Sequence, residues 1–311
     1  VKFTSNLNFG NNLQDKISKA KIALNNFNSI LFSNKCNYSS KLKIFYATSR
    51  VIMSYGAQVW GWRQYELLEK CQRMFLKRIY CLPINTPNYF LLLESSVNSM
   101  FAYTFRLHLK YIKKIVNVMD SDRLPKKLAL LIINKKICWA KEWLRLLNEF
   151  NLIDVSDADV GRWVDLSDAL LECIINKENK QLLSKAQGSS NHLLYPHLRF
   201  DLSDHYLNLD NFLIAKLVIK VRSEMLNLTC TPCKRDASPF CPVCNMNVRE
   251  DLFHFLLECP GLCQLREQYL GKTVLVAEEG IRVINGGCGW TPLAYYVKKA
   301  YELRKEKQKF I

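Results

Sequence analysis

A chain of 311 residues with 49% apolar side chains can bury a sizeable core, which excludes disorder as its resting state and leaves room for two domains. Its twelve cysteines follow no secretory leader, which argues against a disulfide-stapled secreted module and for a reducing, intracellular compartment. Apolar runs such as 128–133 are too short to cross a bilayer, so no membrane partner is expected. The formal net charge of +16 is placed unevenly: residues 1–150 hold 24 Lys and Arg against 8 Asp and Glu, and residues 151–311 hold 20 of each. Such a bias predicts a polyanionic partner, RNA or DNA, for the first half, because each phosphate neutralised releases counterions. The chain opens at Val1, which suggests a piece of something longer.

The first predicted helix lies in "NNLQDKISKAKIALNNFNSILF", where Leu13, Ile17, Ala20, Leu24, Phe27 and Leu31 form one stripe. Lys16, Lys19 and Lys21 fall away from it, toward a solvated or ligand-facing side. A second helix from Ser39 turns Leu42, Phe45, Ser49 and Ile52 inward, with Lys41, Lys43 and Arg50 beside them. "SYGAQVWGW" interrupts it, since two glycines among aromatics favour a turn or a tight crossing. The third helix, "YELLEKCQRMFLKRIY", carries the stripe Leu68, Cys71, Phe75 and Ile79, with Gln72, Arg73, Lys77 and Arg78 pointing elsewhere. Pro83 and Pro87 end it. Two long helices follow, over 97–119 and 128–149, the second striped by Leu130, Ile133, Ile137, Ala140, Leu144 and Leu147. No run alternates as strands do, so the fold class is mainly α.

Four regions are expected: a basic helical bundle over 1–150, a connector with short helices over 151–225, a metal module over 226–270 and a C-terminal amphipathic helix over 271–311. Within the connector, a helix runs from Asn211 to about Glu224. In the last helix Thr291 is placed to cap and Pro292 to occupy the first turn.

In "CPVCNMNVREDLFHFLLEC", Cys241 and Cys244 stand three apart, His254 follows ten residues later and Cys259 five after that. Three thiolates and one imidazole suit zinc in a closed tetrahedron, with no open position for catalysis, so the ion would be structural. Cys230 and Cys233 form another Cys-x-x-Cys that could combine with Cys241 and Cys244, and Cys263 could replace Cys259. Asp157, Asp159 and Asp168 touch three positions of a calcium loop, but Gly161 and Arg162 break the pattern and a solvated loop is expected. His192, His197 and His205 lack ligand spacing and read as surface or packing residues. No catalytic constellation is visible.

Several of these residues also carry a resemblance. Tyr55-Gly56 with Trp60, Leu68-Glu69, Gln72, Phe75-Leu76, Leu82-Pro83, Thr86-Pro87 and Glu94 are similar to the region just beyond the polymerase core of non-LTR (LINE-type, jockey-like) retrotransposon reverse transcriptases. "LNFGNNLQDKISKAKIALNNF" resembles their palm-to-thumb passage, and Arg222, Cys241, Cys244, His254, Cys259 and Pro260 their terminal Cys-Cys-His-Cys module. The resemblance is strongest at 11–94 and 241–266 and weak at 151–210. It implies a thumb, connector and zinc tail of a polyprotein whose palm, fingers and apurinic-type endonuclease lie upstream, found in nucleus and cytoplasm. The parent would be an RNA-directed DNA polymerase, and magnesium would belong to it alone; this chain by itself would be inactive. The thumb reading places nucleic acid on Lys16, Lys19, Lys41, Lys43, Arg50, Arg73, Lys77 and Arg78. The alternative is a truncated, host-adopted copy, non-enzymatic, binding nucleic acid or protein through its zinc module.

Overall fold

The computed structural model describes residues 9–153, 160–201, 205–232, 234–235, 239–244 and 246–308. The fold is mainly helical: sixteen α-helices stand among the described residues, and the only paired strands there are the two-residue β1 (Cys230–Thr231) and β2 (Lys234–Arg235), antiparallel. The helices are α1 (Gly10–Asn25), α2 (Asn28–Phe32), α3 (Tyr38–Phe45), α4 (Val51–Ser54), α5 (Ala57–Trp60), α6 (Glu66–Tyr80), α7 (Asn88–Ser95) and α8 (Met100–Val118). They continue with α9 (Leu124–Asn134), α10 (Cys138–Glu149), α11 (Val160–Asp165), α12 (Ser167–Gln187), α13 (Phe212–Arg222), α14 (Cys263–Leu270), α15 (Ala277–Ile284) and α16 (Trp290–Gln308). Among the described residues no helix is long and apolar enough to cross a membrane.

The chain divides into two compact units that cut across the boundaries expected at 150, 225 and 270. Unit 1 takes residues 1–26, 44–72 and 97–181, and unit 2 takes 27–43, 73–96 and 182–311. The charge bias along the sequence disappears in this partition. Unit 1 holds 21 Lys and Arg against 14 Asp and Glu, and unit 2 holds 23 against 14, so both are basic.

In unit 1, the predicted stripe of α1 is buried at Leu13, Ile17, Ala20 and Leu24, and the helix packs on α4 and on the π-helical turn Tyr46–Arg50. Gly56, at φ 75°, turns the chain into α5, and Gly61 then lets α5 lie against α8: a Cβ on Gly61 would sit 2.3 Å from the Thr104 carbonyl oxygen. The start of α8 is capped twice. Ser99 accepts from the Ala102 amide at 3.0 Å, and the Glu69 carboxylate accepts from the Met100 and Phe101 amides at 3.0 and 2.7 Å.

The helix expected over 128–149 is two. Lys136 and Cys138 adopt φ of 50° and 48°, and α10 starts afresh at Cys138. The break re-aims the second half so that Trp139, Ala140, Trp143, Leu146 and Leu147 point inward. One straight helix keeping Ile133, Ile137 and Leu144 inward would leave both tryptophans off the stripe. Two left-handed residues cost about 1–2 kcal/mol each, whereas emptying one buried tryptophan site costs about 3–5 kcal/mol, so the break wins. The connector also differs from expectation: α12 runs 21 residues, and its Leu170, Leu171 and Ile174 are in the core.

In unit 2, α13 packs on α16, and α14 packs on α16 as well. Asn211 caps α13 through the Leu213 amide at 3.0 Å, close to the expected start. Because α16 begins at Trp290, Thr291 lies inside its first turn with Pro292 and is not its cap. At the centre of the unit is a buried ion pair. The Arg222 guanidinium donates to both Glu94 oxygens at 2.5 and 3.1 Å and to the carbonyls of Arg199 and Ile284 at 2.6 and 2.9 Å. The Tyr206 hydroxyl donates to the same carboxylate. Neither Glu94 nor Arg222 has any exposed side-chain surface.

Candidate metal centre

Residues 239–244 and 246–250 pair as the two sides of an irregular hairpin, closed by amide bonds from Glu250 to the Pro239 carbonyl (2.9 Å) and from Cys241 to the Val248 carbonyl (2.8 Å). Its tip is the turn carrying Cys241 and Cys244. The other pair of donors comes from a π-helical turn, His254–Glu258, in which the Cys259 amide donates to the His254 carbonyl at 2.8 Å. An i→i+5 bond is what a five-residue spacing needs to return both side chains to one side. Asp251 starts this turn by accepting the His254 amide at 2.9 Å.

The four donor atoms, three Sγ and one imidazole nitrogen, all lie within 4.8 Å of one another. Cys241 Sγ stands 3.8 Å from Cys259 Sγ, and Cys244 Sγ stands 3.5 Å from His254 Nε2. Cys241, His254 and Cys259 are buried and Cys244 is half-buried. Cys263 is not in the cluster. Cys230 turns its thiol toward the Pro239 carbonyl at 3.7 Å, and Cys233 lies outside the described residues. The cluster can hold a metal ion, and all four expected ligands are brought together.

The backbone prepares these sulfurs for negative charge, which the sequence does not display. Each accepts an amide two residues on: Cys241 from Val243 (and from Cys244), Cys244 from Met246, Cys259 from Gly261. Hydrogen bonding from Cys259, then these amides, lowers the Cys241 thiol below its usual range against its burial, and the resulting thiolate pushes Cys259 upward. Gly261 is where the two sulfur-bearing turns meet: a Cβ there would stand 2.8 Å from Val243 Cγ1 and 3.0 Å from its carbonyl oxygen.

Two further buried cations, both missed in the sequence, fix the surroundings. Arg266 donates to the carbonyls of Leu256 (3.0 Å), Cys259 (2.9 Å) and Thr273, taking up the acceptors that the π turn leaves open. Arg304 on α16 makes a bidentate pair with Glu250 at 2.6 and 2.8 Å, and Glu250 also accepts the Thr229 amide at 2.8 Å. The Tyr296 hydroxyl donates to the Phe255 carbonyl at 2.6 Å.

The eight basic residues expected on nucleic acid fall into two groups. Lys16, Lys19 and Arg50 belong to unit 1, and Lys41, Lys43, Arg73, Lys77 and Arg78 to unit 2. Lys16 is not solvated: it is buried over the rings of Tyr55 and Trp60, and its ammonium donates to the Tyr55 carbonyl. Lys41 is fully buried. Its ammonium donates to the Ile30, Leu31 and Ser33 carbonyls at 3.1, 2.7 and 2.7 Å, closing the C-terminus of α2. These two are internal structure. Lys19 is exposed and paired with Asp15 at 2.8 Å, and Lys43 is exposed. Arg50 stacks on Tyr46 and Tyr103, Arg73 is half-buried, Lys77 donates to the Ile84 carbonyl at 2.7 Å and Arg78 reaches Asn28 at 3.2 Å.

Asp168 pairs with Lys113 at 2.9 Å, while Asp157 and Asp159 lie outside the described residues. His192 stacks on Tyr195 and His205 on Tyr206, as packing residues do. No protein-family model, curated protein or solved structure matches this chain.

Proposed function

We propose that this chain is the carboxy-terminal, non-catalytic part of a non-LTR retrotransposon RNA-directed DNA polymerase, folded around one structural zinc and binding RNA or DNA through its basic surface. The observation that carries the metal assignment is the donor geometry. A tetrahedral zinc with Zn–S of ~2.3 Å and Zn–N of ~2.0–2.1 Å requires S···S edges of ~3.8 Å and S···N edges of ~3.6 Å. Two of the six edges match these lengths, Cys241–Cys259 at 3.8 Å and Cys244–His254 at 3.5 Å, and all six are within 4.8 Å. When bound, zinc with four protein donors would cross-link the hairpin and the π turn and would do no chemistry.

Support for the polymerase reading lies in what the resembling residues do. Glu69 caps α8, Gln72 donates to the Asn98 carbonyl at 2.9 Å, Thr86 to the Pro83 carbonyl at 2.8 Å, and Glu94 pairs with Arg222. A motif that encodes a scaffold should fall on buried polar contacts of this kind. Support for nucleic acid is the positive balance of both units, with Lys19, Lys43, Arg50, Arg73, Lys77 and Arg78 as the contacts that remain once Lys16 and Lys41 are removed.

The test is binding of the zinc-loaded chain to an RNA hairpin and a DNA duplex over a salt series, with primer extension on an RNA template run in parallel. Steeply salt-dependent binding without extension is expected. Binding indifferent to salt sinks the nucleic-acid reading, and extension by these 311 residues alone sinks the assignment as a non-catalytic part.

A further inference from the structure

A cleft of about 810 Å³ in unit 2 is lined by α13, α16 and the turn that follows α6. That volume falls within the range of about 300–1,000 Å³ common to ligand sites. Three lysines line it: Lys220 from α13, and Lys298 and Lys305 from α16. None of the three is ion-paired among the described residues. The carboxylate in the lining, Glu302, is taken by Lys299 at 2.8 Å. Asn85, Asn227 and Thr231 add neutral donors, and Tyr301 lies between the two α16 lysines on the same helix face.

We infer that this cleft is a binding site for the phosphodiester backbone of a single nucleic-acid strand. Glu302 is the one carboxylate in the lining and feels Lys298 and Lys305 as well as Lys299, so three lysines against one acid leave the concavity net positive and favourable to an anion. Lys298 and Lys305 are two helical turns apart, about 10 Å along the axis, a spacing suited to different phosphates of one strand and not to a single phosphate group. Tyr301 brings an aromatic ring to the lining, and an aromatic surface is what a single strand needs besides charge. Its hydroxyl is fixed by a hydrogen bond with the Asn227 backbone, and its ring lies 5.7 Å from that of Phe255, the residue after the metal ligand His254. The cleft is thereby buttressed by the metal module, which gives a structural ion a reason to sit beside a binding surface. The inference rests on the nucleic-acid reading and places the charged part of that contact on unit 2 lysines outside 1–150.

The experiment compares the zinc-loaded chain with two triple variants that remove the same charge. One is Lys220→Gln, Lys298→Gln, Lys305→Gln; the other is Lys110→Gln, Lys114→Gln, Lys180→Gln, three exposed lysines of unit 1. Fluorescence anisotropy reads binding of a twelve-nucleotide single strand, with inorganic tripolyphosphate as competitor. At about 0.7 per phosphate contact, the cleft triple should flatten the log–log salt slope by about 2 and lower affinity at least tenfold, with the unit 1 triple close to the parent. Alkylation gives an independent readout: the strand should shield the exposed Cys81, in the cleft lining, and leave the exposed Cys138 reactive. Equal losses in both triples, or an unshielded Cys81, overturn the cleft while leaving nucleic-acid binding intact. A parent that binds no strand overturns both readings. A site that takes tripolyphosphate and no strand makes it a free-polyphosphate site and overturns the strand assignment.

Discussion

Unit 1 and the metal-bearing part of unit 2 solve the same problem by different means. Unit 1 buries a continuous cluster in which Phe105, Leu109 and Ile112 of α8 meet Trp139, Trp143 and Leu147 of α10, with Trp163, Leu170 and Ile174 following. Its helices run to 19 residues and beyond, long enough for an apolar stripe to supply the driving force. Between Cys230 and Leu270, where the metal ligands lie, the elements are far shorter: two strands of two residues, a π turn of five, a 3₁₀ turn of three and an α-helix of eight. Such pieces cannot be ordered by burial alone. Four donor side chains and the guanidinium groups of Arg266 and Arg304 stand where a larger core would otherwise be. Each region is therefore vulnerable to a different insult.

Metal removal is the sharpest way to break that comparison. Structural zinc sites hold their ion with an apparent ~10–16 kcal/mol at neutral pH, and in such modules binding free energy is folding free energy. Chelation should collapse amide protection over about 229–275 while the amides of α8 and α10 stay protected in hydrogen exchange. Metal analysis should find one zinc in the parent and in Cys36→Ser, and none in Cys241→Ser or His254→Ala. Zinc retained at full occupancy by His254→Ala would remove the imidazole from the ligand set.

The reverse experiment strikes the apolar core. Trp143 is fully buried between Phe105, His108 and Trp139, and Trp143→Ala should cost unit 1 about 3–5 kcal/mol without releasing zinc. Arg222→Met, inside unit 2 but outside the metal module, should cost about as much, because it leaves the buried Glu94 carboxylate without its guanidinium and with only the His205 imidazole, 3.9 Å away, nearby. Adding Glu94→Gln to that variant should recover part of the loss. Denaturant melts of the two single variants and the double one, read as a mutant cycle, decide it. A double variant no more stable than Arg222→Met would mean that the stranded charge is not the cause.

The helices were legible where one face had to be apolar over several turns, as in α1, α6 and α13. The metal ligands were legible because identity and spacing themselves encode the chemistry. What escaped was set by partners distant in sequence. Lys41 looks like any surface lysine, yet its acceptors are the last carbonyls of a five-residue helix about ten positions upstream. Nothing near Lys136 announces a break, because its cause is the burial of Trp139 and Trp143 against α8. The sulfur-directed amides belong to turn geometry, and Arg266 gives no signal until the π turn presents its carbonyls. The units interleave because α3, α6 and α12 each pass from one to the other, so composition along the chain described neither.

Buried titrating groups offer the smallest and most selective test, since the two units carry opposite signs. In unit 1, burial outweighs the hydrogen bond from His108 Nδ1 to the Gln58 carbonyl (2.7 Å) and lowers that imidazole to about 4. Its unfolded value is near 6.5, so unfolding takes up a proton between pH 6.5 and 4: the contribution is complete above that window and lost as pH falls through it. In unit 2, burial raises Glu224 to about 7, against the Leu194 amide that donates to it at 2.7 Å. There folding takes up the proton, so the contribution is complete below about 4.5 and lost as pH rises to 7. Each shift corresponds to about 3 kcal/mol. Glu224→Gln keeps an oxygen for the Leu194 amide and removes the charge. It should stabilise unit 2 by about 2–3 kcal/mol at pH 8 and by almost nothing at pH 4.5, with zinc loss at low pH cancelling because parent and variant share the same ligands. Stability differences measured from pH 4.5 to 8 test this directly, and a gain that does not depend on pH would mean that something other than the buried carboxylate is responsible.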